Sequence, residues 1–247
     1  MNDWAKLRDA YGSATDIPLL LDQLSPEPNA EVWGELWSRI CHQGSVYSAS
    51  FAAIPRLTEA AAAWQPSARS MVLSLAGAIF AGDDQASEFA EMRTKYQDQL
   101  TQLRALAAET LASPTLTQAD FLYVQQAALA FEAIRPWATE LDRLDGGEFE
   151  ASCPACGTQL HVAIGDYGFF TSAEDYARKS DVKKEPLRPA NPGSLKPLAR
   201  RLYDTALNAG HTELASSICY LFGDGACVDC QQHFSVSERI ESELAAT

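Results

Sequence analysis

The chain has 247 residues, 47% hydrophobic and 21% charged, with 33 Asp and Glu against 19 Lys and Arg and a net charge of −14. That length allows one large domain or two ordinary ones, and the apolar content is enough to fill a core, which excludes a chain disordered throughout. The acidity argues against tracking a nucleic-acid backbone or lying on an anionic membrane, since both are polyanions, and it makes a basic protein the natural complement.

The N-terminus, Met1-Asn2-Asp3-Trp4-Ala5-Lys6, lacks the charged and then apolar regions of a secretory leader. The longest apolar-rich run, from Met71 to Gly82, is too short to span a bilayer. A cytoplasmic protein with no membrane partner is expected. From Asp16 to about Leu144 the apolar residues recur at helical spacing. Over 29–42, Val32, Trp33, Leu36, Trp37, Ile40 and Cys41 make one stripe, and Gly44 stops the helix. Ser45 is placed to cap a second helix that carries Tyr47, Phe51, Ile54, Leu57, Ala61 and Trp64 inward and ends at Pro66. Pro55 lies inside it and deletes a backbone donor, so a kink or a poorly formed first half is expected.

A third helix is expected over 67–81, a long one over 86–111 and another over 117–134, closed by Arg135-Pro136. Antiparallel helices with short loops suit either a closed bundle or an open stack of hairpins. The small residues Ala76, Gly77 and Ala78 and the position of Pro55 favour a short α-solenoid.

Composition changes at Asp145-Gly146-Gly147, which divides the chain into a helical domain over 1–145 and a small α+β, zinc-ribbon-like domain over 146–247. Phe149, Ala151, Leu160, Val162 and Ile164 alternate as in a β-hairpin with Cys153-Pro154-Ala155-Cys156-Gly157 at its tip. Thr171 and Glu174 have capping-box spacing for a short helix. Four prolines, 186, 189, 192 and 197, then mark an extended connector. The stretch 178–201 carries eight positive charges against Asp181 and Glu185, read as a linker that docks on the protein's own acids. Two helices follow, over 197–209 and 212–222, each ended by glycine.

Four of the six cysteines fall in two Cys-x-x-Cys pairs, Cys153/Cys156 and Cys227/Cys230. Cys156 is followed by Leu160 and Val162, and Cys230 by Phe234 and Val236 at the same offsets, so each pair reads as a knuckle at a hairpin tip. Four thiolates from two knuckles surround one zinc ion tetrahedrally and leave no open position, which makes the site structural. A redox dithiol would sit at a strand-to-helix junction, and neither pair has that context. His161 and His233 are alternative ligands, both expected at the surface; His161 alternates away from Leu160 and Val162.

Cys41 and His42 are adjacent in a helix and point about a hundred degrees apart, so they do not form a thiol–imidazole pair. Gly-rich phosphate loops, Gly-x-Ser-x-Gly elbows and His-Glu-x-x-His patterns do not occur in the sequence. No enzyme is expected, and nucleic acid is an unfavoured partner.

The run Trp33-Gly-Glu-Leu-Trp-Ser-Arg-Ile-Cys-His-Gln-Gly-Ser-Val-Tyr47, continued by Ser-Ala-Ser-Phe-Ala-Ala-Ile-Pro-Arg-Leu57, resembles a group of bacterial HEAT-like helical proteins. The likeness extends to Tyr220-Leu-Phe-Gly223 and the second cysteine pair. It implies a short α-solenoid of HEAT-like hairpins, and a role like that of the immunity or accessory proteins found beside polymorphic toxins. The expectation is a cytoplasmic immunity protein that neutralises a cognate, basic toxin through its acidic surface, with a peptide- or protein-binding adaptor as the alternative. The loop near His42 and Tyr47 is the expected contact.

Overall fold

The computed structural model describes residues 3–27, 30–82, 86–179 and 181–245. The chain is mainly helical with small antiparallel sheets, and it divides into two compact units, Met1–Leu141 and Asp142–Thr247. No helix among the described residues is long and apolar enough to cross a membrane.

The first unit opens with a hairpin of two short strands, β1 (Arg8–Asp9) and β2 (Gly12–Ser13). Then come α1 (Ile17–Asp22), α2 (Glu31–Ile40), α3 (Ser48–Ala63), α4 (Ser70–Ala81), α5 (Ala86–Lys95), α6 (Gln97–Leu111), α7 (Gln118–Phe131) and α8 (Trp137–Glu140). The α2 stripe of Val32, Trp33, Leu36 and Ile40 is buried, with Glu31 in the first turn and Arg39 in the last, each opposite in sign to its end of the helix dipole. In α4 nearly every side is apolar, so it takes the centre and packs on both α3 and α7. Gly77 lets α4 and α7 close up: a Cβ there would lie 2.5 Å from the Cβ of Ala127. The Thr117 hydroxyl oxygen accepts the Asp120 N–H and caps α7.

Several boundaries differ from the sequence reading. Helix α3 runs through Pro55 without interruption; burial of Phe51, Ala52, Ile54 and Leu57 around the proline holds the turn that lacks a donor. Ser45 does not cap it. The chain first reverses through Gln43 and Gly44, both left-handed (φ 51° and 81°), and Tyr47 becomes the N-cap residue. A single 3-10 turn, Pro66–Ala68, precedes α4. The expected helix over 86–111 is two, bent at Tyr96, where φ −106° and ψ 28° leave helical geometry while the ring is buried. Hydrogen bonds from Tyr96 N–H to the Met92 carbonyl and from Leu100 N–H to that of Tyr96 carry the ladder across the bend.

The second unit contains α9 (Arg143–Gly146), β3 (Glu148–Ser152), β4 (Gln159–Gly165), β5 (Gly168–Ser172), β6 (Glu185–Pro186), α10 (Pro197–Asn208), α11 (Thr212–Leu221), β7 (Asp224–Ala226), β8 (His233–Ser235) and α12 (Val236–Leu244). The four strands β3-β4-β5-β6 form one antiparallel sheet and β7-β8 a second hairpin, with a bridge between Arg188 and Asp224. Phe149, Ala151, Leu160, Val162 and Ile164 are buried, on the alternation that the sequence shows. Thr171 is not a helix cap: it lies in β5, fully buried, and its hydroxyl donates to the Ala226 carbonyl at 2.5 Å. Pro197 sits in the first turn of α10. Gly210 (φ +88°) ends that helix, with His211 N–H closing on the Ala206 carbonyl.

The basic stretch folds back on its own acids: Lys179 on Glu174, Arg178 on Asp175, Lys196 on Glu238 and Arg200 on Asp204. All four pairs are solvent-exposed, so each contributes little stability. Their effect is to offset half of the eight positive charges in the stretch.

Candidate metal centre

Each cysteine pair is built by the same backbone device at the end of a hairpin. In the first, Cys153 N–H donates to the Thr158 carbonyl at 2.8 Å, and Gly157 N–H returns to the Cys153 carbonyl at 3.0 Å. In the second, Cys227 N–H donates to the Gln232 carbonyl at 2.9 Å and Gln231 N–H to the Cys227 carbonyl at 3.0 Å. The fifth residue of each loop is left-handed, Gly157 at φ +74° and Gln231 at φ +61°. These turns aim both sulfurs of a pair to one side. The Ala155 N–H also points at Cys153 Sγ, 3.4 Å away.

The two knuckles face each other. Cys153 and Cys230 sulfurs are 3.6 Å apart and those of Cys156 and Cys227 3.7 Å, and all four lie within 4.8 Å of one another. A disulfide would require about 2.05 Å, so these are thiols. A tetrahedron with metal–sulfur bonds of about 2.3 Å has edges of about 3.8 Å, and the two cross-knuckle pairs lie close to that value. The group can hold a metal ion. Cys153 and Cys227 are buried, and Cys156 and Cys230 face outward. Four soft donors complete a tetrahedral shell, leaving no position for a reacting water.

Sulfurs this close resist being charged together unless a cation lies between them. Cys156 is lowered to about 6 by the hydroxyl and backbone N–H of Thr158, helped by Cys230 and Cys153. Cys230 is pushed up to about 12: the Gln232 N–H works against this, but hydrogen bonding with Cys156, burial and the other two thiols prevail. A divalent cation removes the conflict, and the filled site carries about two negative charges.

Residues that spacing alone did not single out complete the surroundings. Thr158 Oγ1 lies 2.8 Å from Asp229 Oδ2 and 3.3 Å from Cys156 Sγ, so one hydroxyl ties the first knuckle to the second. The Lys183 ammonium donates to the Val228 carbonyl, placing a positive charge beside the second knuckle. Gln231 Nε2 donates to Glu185 on β6 at 2.8 Å. Glu243 of α12 accepts the Ser152 N–H at 2.6 Å, pinning the strand that leads into Cys153. Apart from that between Thr158 and Cys156, each of these contacts spans dozens of residues, and no local motif announces them.

The remaining candidates lie elsewhere. His233 is exposed on β8. His161 is half-buried, because Tyr176 packs edge-on against its ring (6.1 Å, 86°); its Nδ1 lies 3.5 Å from the Glu148 carboxylate. Cys41 is a core residue whose thiol burial pushes up to about 11. His42 stands edge-on to Tyr11, with ring centroids 5.9 Å apart. Tyr47 is half-buried at the start of α3, where its N–H donates to Ser50 Oγ at 2.7 Å.

No protein-family model, no curated protein and no solved structure matches the chain. The four-thiol centre and the charge distribution therefore carry the functional argument.

Proposed function

We propose that this chain is a partner-binding protein without catalytic activity, of the immunity type: a helical scaffold whose acidic surface captures and neutralises a cationic toxin. The observation that carries the reading is the excess of 33 acids over 19 bases. Acids such as Asp22, Glu35, Glu59 and Glu109 stand more than half exposed on α1, α2, α3 and α6, each beside an arginine, so the negative field comes from the overall excess of acids and not from these four alone. An acidic surface speeds encounter with a basic enzyme and imitates the charge of a polyanionic substrate. In this reading the helices of the first unit form a short stack of HEAT-like hairpins that displays those acids.

Zinc is the metal that four thiolates in a closed tetrahedral shell favour, and here its chemistry would be cross-linking. Cys153, Cys156, Cys227 and Cys230 would bind it and so join β3-β4 to β7-β8 across 70 intervening residues. Thr158 and Lys183 would orient and partly neutralise the shell. Thiols spaced for a metal fit a reducing compartment, and on that ground we place the protein in the cytoplasm.

Affinity capture of the tagged chain from its native cells, at moderate and at high salt, tests the binding reading. A single stoichiometric basic protein, lost at high salt and lethal when produced alone, supports it. A spread of weakly held proteins would favour an adaptor, and salt-independent capture would remove the electrostatic argument. Elemental analysis of freshly purified, reduced protein tests the metal: close to one zinc per chain is expected, and a content near zero overturns it.

A further inference from the structure

The hairpin β1-β2 is too short to hold itself together, since two residues per strand are far below what an isolated hairpin needs. It is held from outside, at the α2–α3 junction. The Asp9 carboxylate, its side chain fully buried, receives Arg39 Nε at 2.7 Å and Nη2 at 2.6 Å. Arg39 also reaches the Ser13 carbonyl, and its own carbonyl accepts the Ala10 N–H at 2.9 Å. On the other side, the Arg8 N–H donates to Ser48 Oγ at 2.8 Å. Both strands and the turn are therefore fixed to two helices.

What this anchoring presents is Tyr11. Its N–H is held by Asp9 Oδ1 at 2.9 Å, and its side chain is 68% exposed, the most exposed large apolar residue among those described. His42 contacts the ring edge-on and leaves the rest of the ring open to solvent. A buried ion pair is a poor source of net stability but a good source of fixed geometry. Here the geometry it fixes is a protruding aromatic that would lose little conformational freedom on binding, the property shared by interface anchors.

The geometry points to Tyr11, with His42 beneath it, as the anchor that receives a Lys or Arg side chain of a cationic protein partner. This rests on the reading of the chain as a binder of a basic protein. The open ring offers its negative π-face to a cation. The sequence from 1 to 141 carries 17 acids against 9 bases, and at the junction the single Arg39 guanidinium is shared by Asp9 at 2.6 Å and Glu35 at 3.8 Å, two carboxylates to one positive charge. A partner side chain that reaches Tyr11 thus enters a field of matching sign, with Arg8 as the opposing charge on the hairpin.

The test titrates the full-length, metal-loaded protein with an arginine-rich peptide at low salt, following the ring signals of Tyr11 and His42 by NMR. Saturable shifts centred on these two rings are expected. Tyr11→Ala should weaken binding at least about tenfold, whereas Tyr11→Phe, which keeps the ring, should stay within about twofold. Tyr167→Ala removes an aromatic of similar exposure (61%) from the second unit and should change nothing. Equal affinity of Tyr11→Ala and the wild type, or shifts spread evenly over the acids, overturns the anchor while leaving the cationic-partner reading standing. Failure of the wild type to bind the peptide overturns both.

Discussion

Gly157 and Gln231 occupy equivalent places in the two knuckles: each is left-handed, and each N–H closes on the carbonyl of the first cysteine of its pair at 3.0 Å. The conformation suits glycine and costs other residues about 1–2 kcal/mol. Space around Gly157 is open, so Gly157→Ala isolates that backbone cost. It should destabilise the metal-loaded protein by about 1 kcal/mol in urea at fixed free metal. Gln231→Gly relieves the same strain but loses the hydrogen bond to Glu185, and should fall within about 0.5 kcal/mol of the wild type. A Gly157→Ala variant as stable as the wild type would show that the turn can adopt another form.

Metal binding must displace the protons that the four sulfurs hold. With Cys156 lowered to about 6 and Cys230 raised to about 12, the first is largely ionised at pH 7 and the second holds its proton. Zinc should release protons at pH 7, that of Cys230 among them, and one more below pH ~6, where Cys156 is protonated too. The sign follows: protons compete for the thiolates, so affinity and the stability it confers are present at high pH and are lost as pH falls. Calorimetry in two buffers of different ionisation enthalpy reads the number directly. Release of no protons would mean that the sulfurs are not the ligands.

The cysteine spacing and the repeated offsets after Cys156 and Cys230 made the centre legible, because a knuckle is a local structure set by a few adjacent residues. The same holds for α2, α7, α10 and α11, where the apolar stripes are contiguous in sequence, and for the Thr117 cap of α7. Thr171 misled for the opposite reason. Its spacing to Glu174 suggests a cap, yet its hydroxyl is spent on Ala226, 55 residues away. The hairpin at Arg8–Ser13 gives no alternation to read, since Asp9 and Arg39, 30 positions apart, create it. At Pro55 the local loss of a donor predicts a kink, and the buried residues around it outweigh that cost.

Gly77 of α4 and Ala127 of α7 bring their two helices into close contact. A Cβ on Gly77 would meet the Cβ of Ala127 at 2.5 Å and its Cα at 2.6 Å, so the helices must separate to admit it. Gly77→Ala should cost about 2–3 kcal/mol despite the better helix propensity of alanine, which is worth about 1 kcal/mol. Adding Ala127→Gly makes room for the side chain but not for the backbone, so a double-mutant cycle in urea should recover only part of the loss. A stabilised Gly77→Ala protein would contradict this packing.

The Asp9–Arg39 pair predicts an asymmetry between its two partners. The Asp9 side chain is fully buried and that of Arg39 is 13% exposed, so losing the arginine strands a carboxylate away from water, whereas losing the acid leaves a guanidinium near the surface. Arg39→Met should therefore cost about 3–4 kcal/mol, the range for breaking a buried ion pair. Asp9→Asn keeps one acceptor oxygen, enough for either the Tyr11 N–H or Arg39, sets a donor NH2 against the other, and should cost about 2 kcal/mol. If the pair serves to fix the hairpin, Arg39→Met should also speed hydrogen exchange at the Ala10 and Ala14 amides, which donate to the Arg39 and Leu7 carbonyls, while leaving that of Leu129 in α7 unchanged. Loss of stability with no change in exchange at Ala10 and Ala14 would mean that the pair stabilises the helices alone, and Tyr11 would then owe its position to the contact with His42.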